Sequence, residues 1–317
     1  MRLLALRDGE LFVPSAGLWL DPRRPRPRAF VSHAHGDHIG RHATTLATPE
    51  TAALMRVRQP DHAVSDPLGY GETRALGDAR VRLEPAGHVL GAAQLVVEAE
   101  GACLVFTGDL RLRASRTAAR CVPVPCDELV VEATFGDPRF VFPPDAEREA
   151  DVRALLAEAR AGARVPVLLA YALGKAQEVM AALPDETFLV DRRTDAFCRV
   201  YESFGRMLPP RTVLRAGMPL GGRVVVWPPH RWRSSLLRAL GRPLRIALTG
   251  WARDPGHRLG YPCERAVAWS DHAGWDELLA YVEAVAPARV HLVHGHAPAL
   301  ADALRARGHE VTTGAPA

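Results

Sequence analysis

The chain has 317 residues, 48% of them hydrophobic and 24% charged. That balance describes a folded globular protein and excludes a disordered or fibrous one. No apolar run approaches the roughly 18 residues a membrane span needs, so no membrane partner is expected. Lys and Arg outnumber Asp and Glu by 40 to 36, and a net charge of +4 is too small to argue by itself for a polyanionic partner.

At the start, Leu3–Leu6 is cut by Arg7 and Asp8. This falls short of the about 7 apolar residues of a secretory signal. The five cysteines are odd in number and irregularly spaced. They form neither a disulfide framework nor a zinc ribbon, so reduced thiols and a cytoplasmic location are expected.

The first half reads as short strands divided by Gly, Pro and Asp. The loop Asp21–Arg28 carries four arginines that either touch phosphate or are solvated. β-Branched residues predict strands at Ala29–Ser32, Arg80–Glu84, Gln94–Glu98, Ala102–Thr107 and Glu128–Glu132, with a short helix at Pro49–Arg58. From Asp145 the period becomes helical. Val152, Leu155, Leu156 and Ala159 share a face of Asp145–Ala163. Strands at Val165–Ala170, Arg223–Trp227, Arg245–Thr249 and Arg289–Val293 then alternate with helices at Lys175–Leu183, Trp232–Leu240, Trp275–Ala286 and Pro298–Arg307. The class is α/β, strand-rich at first and βαβ-like in the middle.

The chemistry concentrates after the strand Ala29–Ser32. In His33-Ala34-His35-Gly36-Asp37-His38, extended chain points His33 and His35 the same way. The glycine then turns Asp37 and His38 toward a second position. Imidazole and carboxylate together suit zinc, manganese or iron. Further ligands stand at later strand ends: His88 in a Gly-flanked turn, Asp109 after Phe106-Thr107-Gly108, and His294 in Val293-His294-Gly295. His33, His35 and His88 surround one ion, Asp37, His38 and His294 the other, and Asp109 bridges them. Two cations so joined clamp a phosphate and bring a water toward ionisation at neutral pH. His42, His291 and His296 remain unassigned.

In its HAHGDH, GHVLGAA, TGD and late VHG segments, in that order, the chain resembles the metallo-β-lactamase fold hydrolases. Val131-Glu132-Ala133-Thr134-Phe135-Gly136, Ser270-Asp271-His272-Ala273 and Leu173-Gly174-Lys175-Ala176-Gln177-Glu178 narrow the likeness to the nucleic-acid-cleaving β-CASP group. GHVLGAAQ, CDELVVEATFG and WSDHAGWDELL are most similar to bacterial ligase-associated DNA exonucleases. The likeness covers most of residues 30–310.

The resemblance implies an αββα sandwich interrupted by a short β-CASP-like cap. The first part of the sandwich is 1–144, the cap 145–262 and the last part 263–317. It implies two divalent ions, zinc first and manganese as the alternative. Asp37 belongs to the catalytic set. His272 protonates the leaving oxygen and Glu132 orients it. Lys175, Ser270 and Trp251 lie toward the substrate. Lys175 otherwise reads as a solvated helix-start lysine, and Trp251 as a core residue. Ala133 and Phe135 replace the group's usual Ser and Tyr, removing two hydroxyls.

The activity so implied is a two-metal phosphodiester hydrolase acting as a DNA exonuclease in repair, in functional association with a DNA ligase and a helicase. The alternatives are a ribonuclease of the RNA 3′-end processing type, a small-molecule hydrolase of the same fold, and a scaffold that has lost its chemistry. The last two sit poorly with a full ligand set and with the presence of both Glu132 and His272.

Overall fold

The chain divides into two compact units, Met1–Pro138 with His272–Ala317, and Arg139–Asp271. The computed structural model describes residues 2–62, 64–295 and 297–313; His296 lies outside them. The second unit starts earlier and ends later than the expected 145–262. Arg265–Ala268 pairs in parallel with Pro243–Thr249, which carries that stretch into the second unit. At the other end Arg139 pairs with Asp254 at 3.4 Å, and the Phe140 ring meets Trp251 edge-on at 5.4 Å.

The first unit holds two sheets. In the first, Ala5–Arg7, Glu10–Val13, Leu18–Leu20, Arg28–Phe30, Thr44–Ala47 and Asp66–Pro67 lie in chain order. The second runs Glu310–Thr313, Arg289–Val293, Glu128–Glu132, Ala102–Phe106, Ala93–Ala99, Ala79–Pro85, Thr73–Leu76. Ala79, Val81 and Leu83 alternate inward on one of these strands, as a half-buried strand requires.

Leu18, Phe30 and Leu46 pack against Val81, Leu95, Leu104 and Phe106 to form the core between the sheets. The Phe30 and Phe106 rings meet edge-on at 6.1 Å. On the second sheet's other face, Val96, Val105, Leu129 and Val131 meet Leu278, Tyr281, Val282, Leu300 and Leu304 of the helices Trp275–Val285 and Pro298–Arg305. Glu128–Glu132 is buried on both faces, which is why its residues read as a continuous run rather than an alternation. Ala102–Phe106, Glu128–Glu132 and Arg289–Val293 are mutually parallel, so their C-terminal ends open at one edge.

The second unit is built on six parallel strands in the order Arg211–Val213, Phe188–Val190, Val224–Trp227, Val165–Leu169, Pro243–Thr249, Arg265–Ala268. Val152, Leu156 and Ala159 of the helix Asp145–Ala161 share one core with Leu168, Phe188, Val190 and Ile246. Val167, Leu189, Val225 and Trp227 form the other.

Two local expectations are corrected. The helix expected over Trp232–Leu240 is a 3₁₀ turn at Pro229–Arg231 followed by one helical turn at Ser235–Arg238. The Ser234 hydroxyl accepts from Leu237 N at 3.3 Å and restarts the chain there. The strand Phe188–Val190 and the helix Arg192–Ser203 were not anticipated, although Asp191 caps that helix by accepting from Thr194 N at 2.7 Å.

All five cysteines are free thiols. Among the described residues, no helix is long and apolar enough to cross a membrane.

Candidate metal centre

Each residue of the centre lies in the first unit, at or just beyond the end of a strand. Arg28–Phe30 delivers His33, His35, Asp37 and His38, and Ala79–Pro85 leads to His88. Ala102–Phe106 leads to Asp109, Glu128–Glu132 ends on Glu132, and Arg289–Val293 is followed by His294. The turn before Asp109 requires Gly108, whose φ is +55°. A β-carbon there would stand 2.5 Å from Ser32 Cβ. His294 itself adopts a φ of +52°, a left-handed conformation unusual outside glycine.

His33 Nε2 lies 3.0 Å from His35 Nδ1, and His88 Nε2 lies 3.1 Å from the same atom. Asp109 Oδ2 is 3.4 Å from His33 Nε2, 3.7 Å from His88 Nε2 and 3.4 Å from His38 Nε2. His33, His35, His88 and Asp109 thus form one group able to hold a cation, and His38, Asp109 and His294 a second. Asp109 belongs to both groups. Tetrahedral zinc with Zn–N bonds of about 2.0–2.1 Å sets ligand nitrogens about 3.3 Å apart, so the donor types and spacings fit such an ion. Asp37 stands further out. Its carboxylate is mostly exposed, with Oδ2 3.8 Å from His38 Nε2.

The ring orientations have identifiable causes. His33 Nδ1 lies 3.0 Å from the Ser32 hydroxyl, which turns Nε2 inward. His38 Nδ1 lies 2.7 Å from Asp21 Oδ2, which turns its Nε2 toward Asp109. Asp21 also accepts from Ser32 N at 2.7 Å and from Ser32 Oγ. A carboxylate behind a ligating imidazole fixes both its tautomer and its direction. Sequence reading placed Asp21 in an arginine-rich loop and missed this role. The available signal was its position directly after the strand Leu18–Leu20, the placement shared by the other acids of the centre.

Charge is held tightly here. Burial acts to raise the Asp109 carboxyl, but His38, His272 and His33 outweigh it and hold it well below the usual carboxylate range. Burial acts to lower His38, and Asp109 and Asp21 outweigh it, holding the imidazole well above its ordinary value. Burial, aided by His38, pushes His33 well below.

Glu132 and His272, 140 positions apart, meet directly. His272 Nδ1 is 2.9 Å from Glu132 Oε2 and 3.2 Å from Oε1. Glu132 is fully buried, and its Oε1 accepts from Leu110 N at 2.7 Å. His272 Nδ1 also lies 3.8 Å from Asp109 Oδ2, and its ring centroid is 4.6 Å from that of His88. The Phe135 ring, where the resembling group has Tyr, meets the His272 ring edge-on at 5.9 Å.

The residues expected toward substrate behave differently. Lys175 is buried, with Nζ 2.9 Å from Asp271 Oδ1 and donating to Trp269 O at 3.1 Å. It is neither a solvated lysine nor one extended from the surface, because a buried ammonium needs a carboxylate partner. Ser270 is also buried, and its carbonyl accepts from Arg148 Nη1 at 3.4 Å. Trp251 is half-buried, with the His257 ring stacked on it at 4.6 Å. In the loop after Asp21, Glu10 accepts from Arg23 N, Arg24 N and Arg26 Nε, so Arg26 braces the loop while the Arg23 and Arg24 side chains are exposed. His42 and His291 engage Arg26 N and the Thr312 hydroxyl, outside the groups able to hold a cation.

No protein-family model matches the chain. It is similar, at 40% identity over 95% of its length, to a stretch covering 30% of a probable DNA ligase from Opitutus terrae. Half of the chain is 30% identical to 20% of the endoribonuclease ysh-1 of Neurospora crassa. A further 28% identity joins 47% of it to 41% of an RNase J-like protein from Methanocaldococcus jannaschii. The chain thus spans less than half the length of each of these relatives. A crystal structure of a protein of unknown function from Enterococcus faecalis shares the fold, with a TM-score of 0.59 at 16% identity over 90% of this chain and 78% of that one. These similarities reach a stretch of a probable DNA ligase, an endoribonuclease and an RNase J-like protein, and do not single out one of them.

Proposed function

We propose that the chain is a two-metal phosphodiester hydrolase of the β-CASP group, acting as a DNA exonuclease in repair. The observation that carries this reading is the Glu132–His272 pair, 2.9 Å apart and beside Asp109. A small-molecule hydrolase of the same fold has no need of such a pair. The 40% identity to a stretch of a probable DNA ligase supports DNA as substrate and association with a ligase; a helicase partner rests on the resemblance alone. The free thiols agree with a cytoplasmic location.

His33, His35 and His88 would hold one ion, and His38, His294 and Asp37 the other, with Asp109 between them. Bound divalent ions, zinc first and manganese as the alternative, supply charge neutralisation at the phosphate and acidify water. His272 donates its Nε2 proton to the departing oxygen. Glu132 accepts from Nδ1–H, so the doubly protonated ring presents Nε2–H to the departing oxygen and is left as the neutral Nδ1–H tautomer. The Leu110 N–H in turn fixes Glu132. Asp21 sets the direction of His38. Lys175 and Ser270 serve the Trp269–Asp271 segment rather than a phosphate, and Trp251 walls the second unit's strand ends.

Similarity to an endoribonuclease and an RNase J-like protein favours a second reading, RNA cleavage at the same centre. Matched single-stranded DNA and RNA, labelled at either end, separate the two. A one-nucleotide ladder on DNA alone is expected, and its labelled end gives the polarity. Preferential cleavage of RNA moves the protein to the second reading.

A further inference from the structure

In the second unit all six strands are parallel, so their C-terminal ends lie along one edge of the sheet. Neighbouring strands Val165–Leu169 and Pro243–Thr249 send the chain in opposite directions. The first leads by the helix Lys175–Ala182 to Phe188–Val190 on one side, and the second leads to Arg265–Ala268 on the other. Such a switch point opens a crevice at the strand ends, the usual place for a ligand in a parallel sheet.

Two aromatic residues flank this crevice, Tyr171 after the first strand and Trp251 after the second. Trp251 is half-buried under His257, whereas Tyr171 is 54% exposed. Lys175 Nζ lies 5.8 Å from the Tyr171 ring centroid and is itself anchored on Asp271. The ring is therefore braced by a fixed cation at the mouth of the crevice. Arg253 and Arg258, in the loop after Pro243–Thr249, are exposed. An exposed ring beside an anchored ammonium, with exposed guanidinium groups in the loop after the neighbouring strand, has the chemistry of a single-strand binder, in which bases stack and phosphates are neutralised.

We propose that Tyr171 is a base-stacking residue that takes a nucleobase of single-stranded nucleic acid at the switch-point crevice, with Arg253 and Arg258 toward its phosphates. This rests on the nucleic-acid reading of the preceding subsection and names a substrate-binding residue for it.

The test is binding of the full chain, as purified, to fluorescent phosphorothioate 12-mers of thymidylate, of uridylate and of abasic sugar, read by anisotropy. Tyr171→Ala is expected to weaken thymidylate binding about 10-fold. Tyr171→Phe and Tyr171→Trp should stay within about 2-fold of wild type, with Tyr171→Leu as weak as Ala. The salt dependence should not change, because no phosphate contact is lost. On the abasic strand the Ala effect should vanish. The uridylate strand shows whether the crevice also accepts RNA bases.

Wild-type affinity for both base-bearing strands in Tyr171→Ala overturns the proposal. So does an equal loss on the abasic strand, or no binding by wild type. If wild type cleaves DNA while Tyr171→Ala binds it unchanged, the stacking proposal falls and the nuclease reading stands. If binding depends on Tyr171 but nothing is cleaved, the nuclease reading falls and the stacking proposal stands.

Discussion

Asp21 Oδ2 sits 2.7 Å from His38 Nδ1, on the side of the imidazole away from Asp109, and the same carboxylate accepts from both the amide and the hydroxyl of Ser32. One acid thus fixes the ring of one candidate ligand and the residue preceding another, His33. Asp21→Asn keeps the shape and removes the charge. It should weaken zinc binding about 10–100-fold with little change in fold. Competition with a chromogenic chelator measures this, and unchanged affinity would remove Asp21 from the centre.

His272→Ala and Glu132→Gln should separate chemistry from metal binding. Neither residue is assigned as a ligand, so metal content should remain at the wild-type level. Cleavage should fall about 10²–10⁴-fold in His272→Ala, the range for losing a positioned acid. Metal analysis and single-turnover rates on one preparation give both numbers. A His272→Ala protein that cleaves normally would show that another group supplies the proton.

Gly108 has a φ of +55°, and a β-carbon there meets Ser32 Cβ at 2.5 Å. Gly108→Ala should cost about 1–3 kcal/mol through backbone strain alone, with the clash adding to it. Because Asp109 follows directly, metal content should drop together with the thermal midpoint. A variant as stable and as well loaded as wild type would contradict this account of the turn.

The Lys175–Asp271 pair is buried at both ends. Lys175→Met leaves a buried carboxylate without its cation and should destabilise by about 3–5 kcal/mol. Adding Asp271→Asn should recover part of that loss. Urea denaturation of wild type, both single variants and the double variant measures the coupling, and purely additive effects would mean the pair does not act as a unit.

Burial pushes the Cys121 and Cys126 thiols up to about 12 and Cys198 to about 11, from 9.0. Above about pH 9 the unfolded chain releases these protons while the folded chain keeps them. Their contribution is complete below that pH and declines as pH rises toward the folded values. The thermal midpoint should therefore fall from pH 8 to 10.5, and less steeply in Cys121→Ala. Equal slopes would show that Cys121 does not titrate on unfolding.

The candidate cluster was legible in the sequence wherever its residues stood in a compact motif or at an apolar strand end. His33, His35, His38, His88, Asp109 and His294 were singled out in this way, and the structure brings them into two groups, each able to hold a cation, that share Asp109. Asp21 was passed over despite its place after the strand Leu18–Leu20, because its partner His38 is 17 positions away and the intervening arginines and prolines read as surface loop. The Glu132–His272 contact spans 140 positions, which no local pattern encodes; the family resemblance anticipated it. Lys175 was legible as a position but not as an environment, since Asp271 reaches it only through tertiary packing. Among the elements, long periodic segments such as Asp145–Ala161 were readable, while three-residue strands such as Phe188–Val190 are too short to show a period.

The central claim is that the His/Asp cluster and the Glu132–His272 pair together hydrolyse phosphodiesters. The most direct test is cleavage of end-labelled single-stranded DNA by zinc- or manganese-loaded wild type, beside a chelator control and metal-loaded His272→Ala. The account predicts stepwise loss of nucleotides by wild type alone. Cleavage that survives both chelator and His272→Ala, or no cleavage of DNA or RNA by fully loaded wild type, would contradict it.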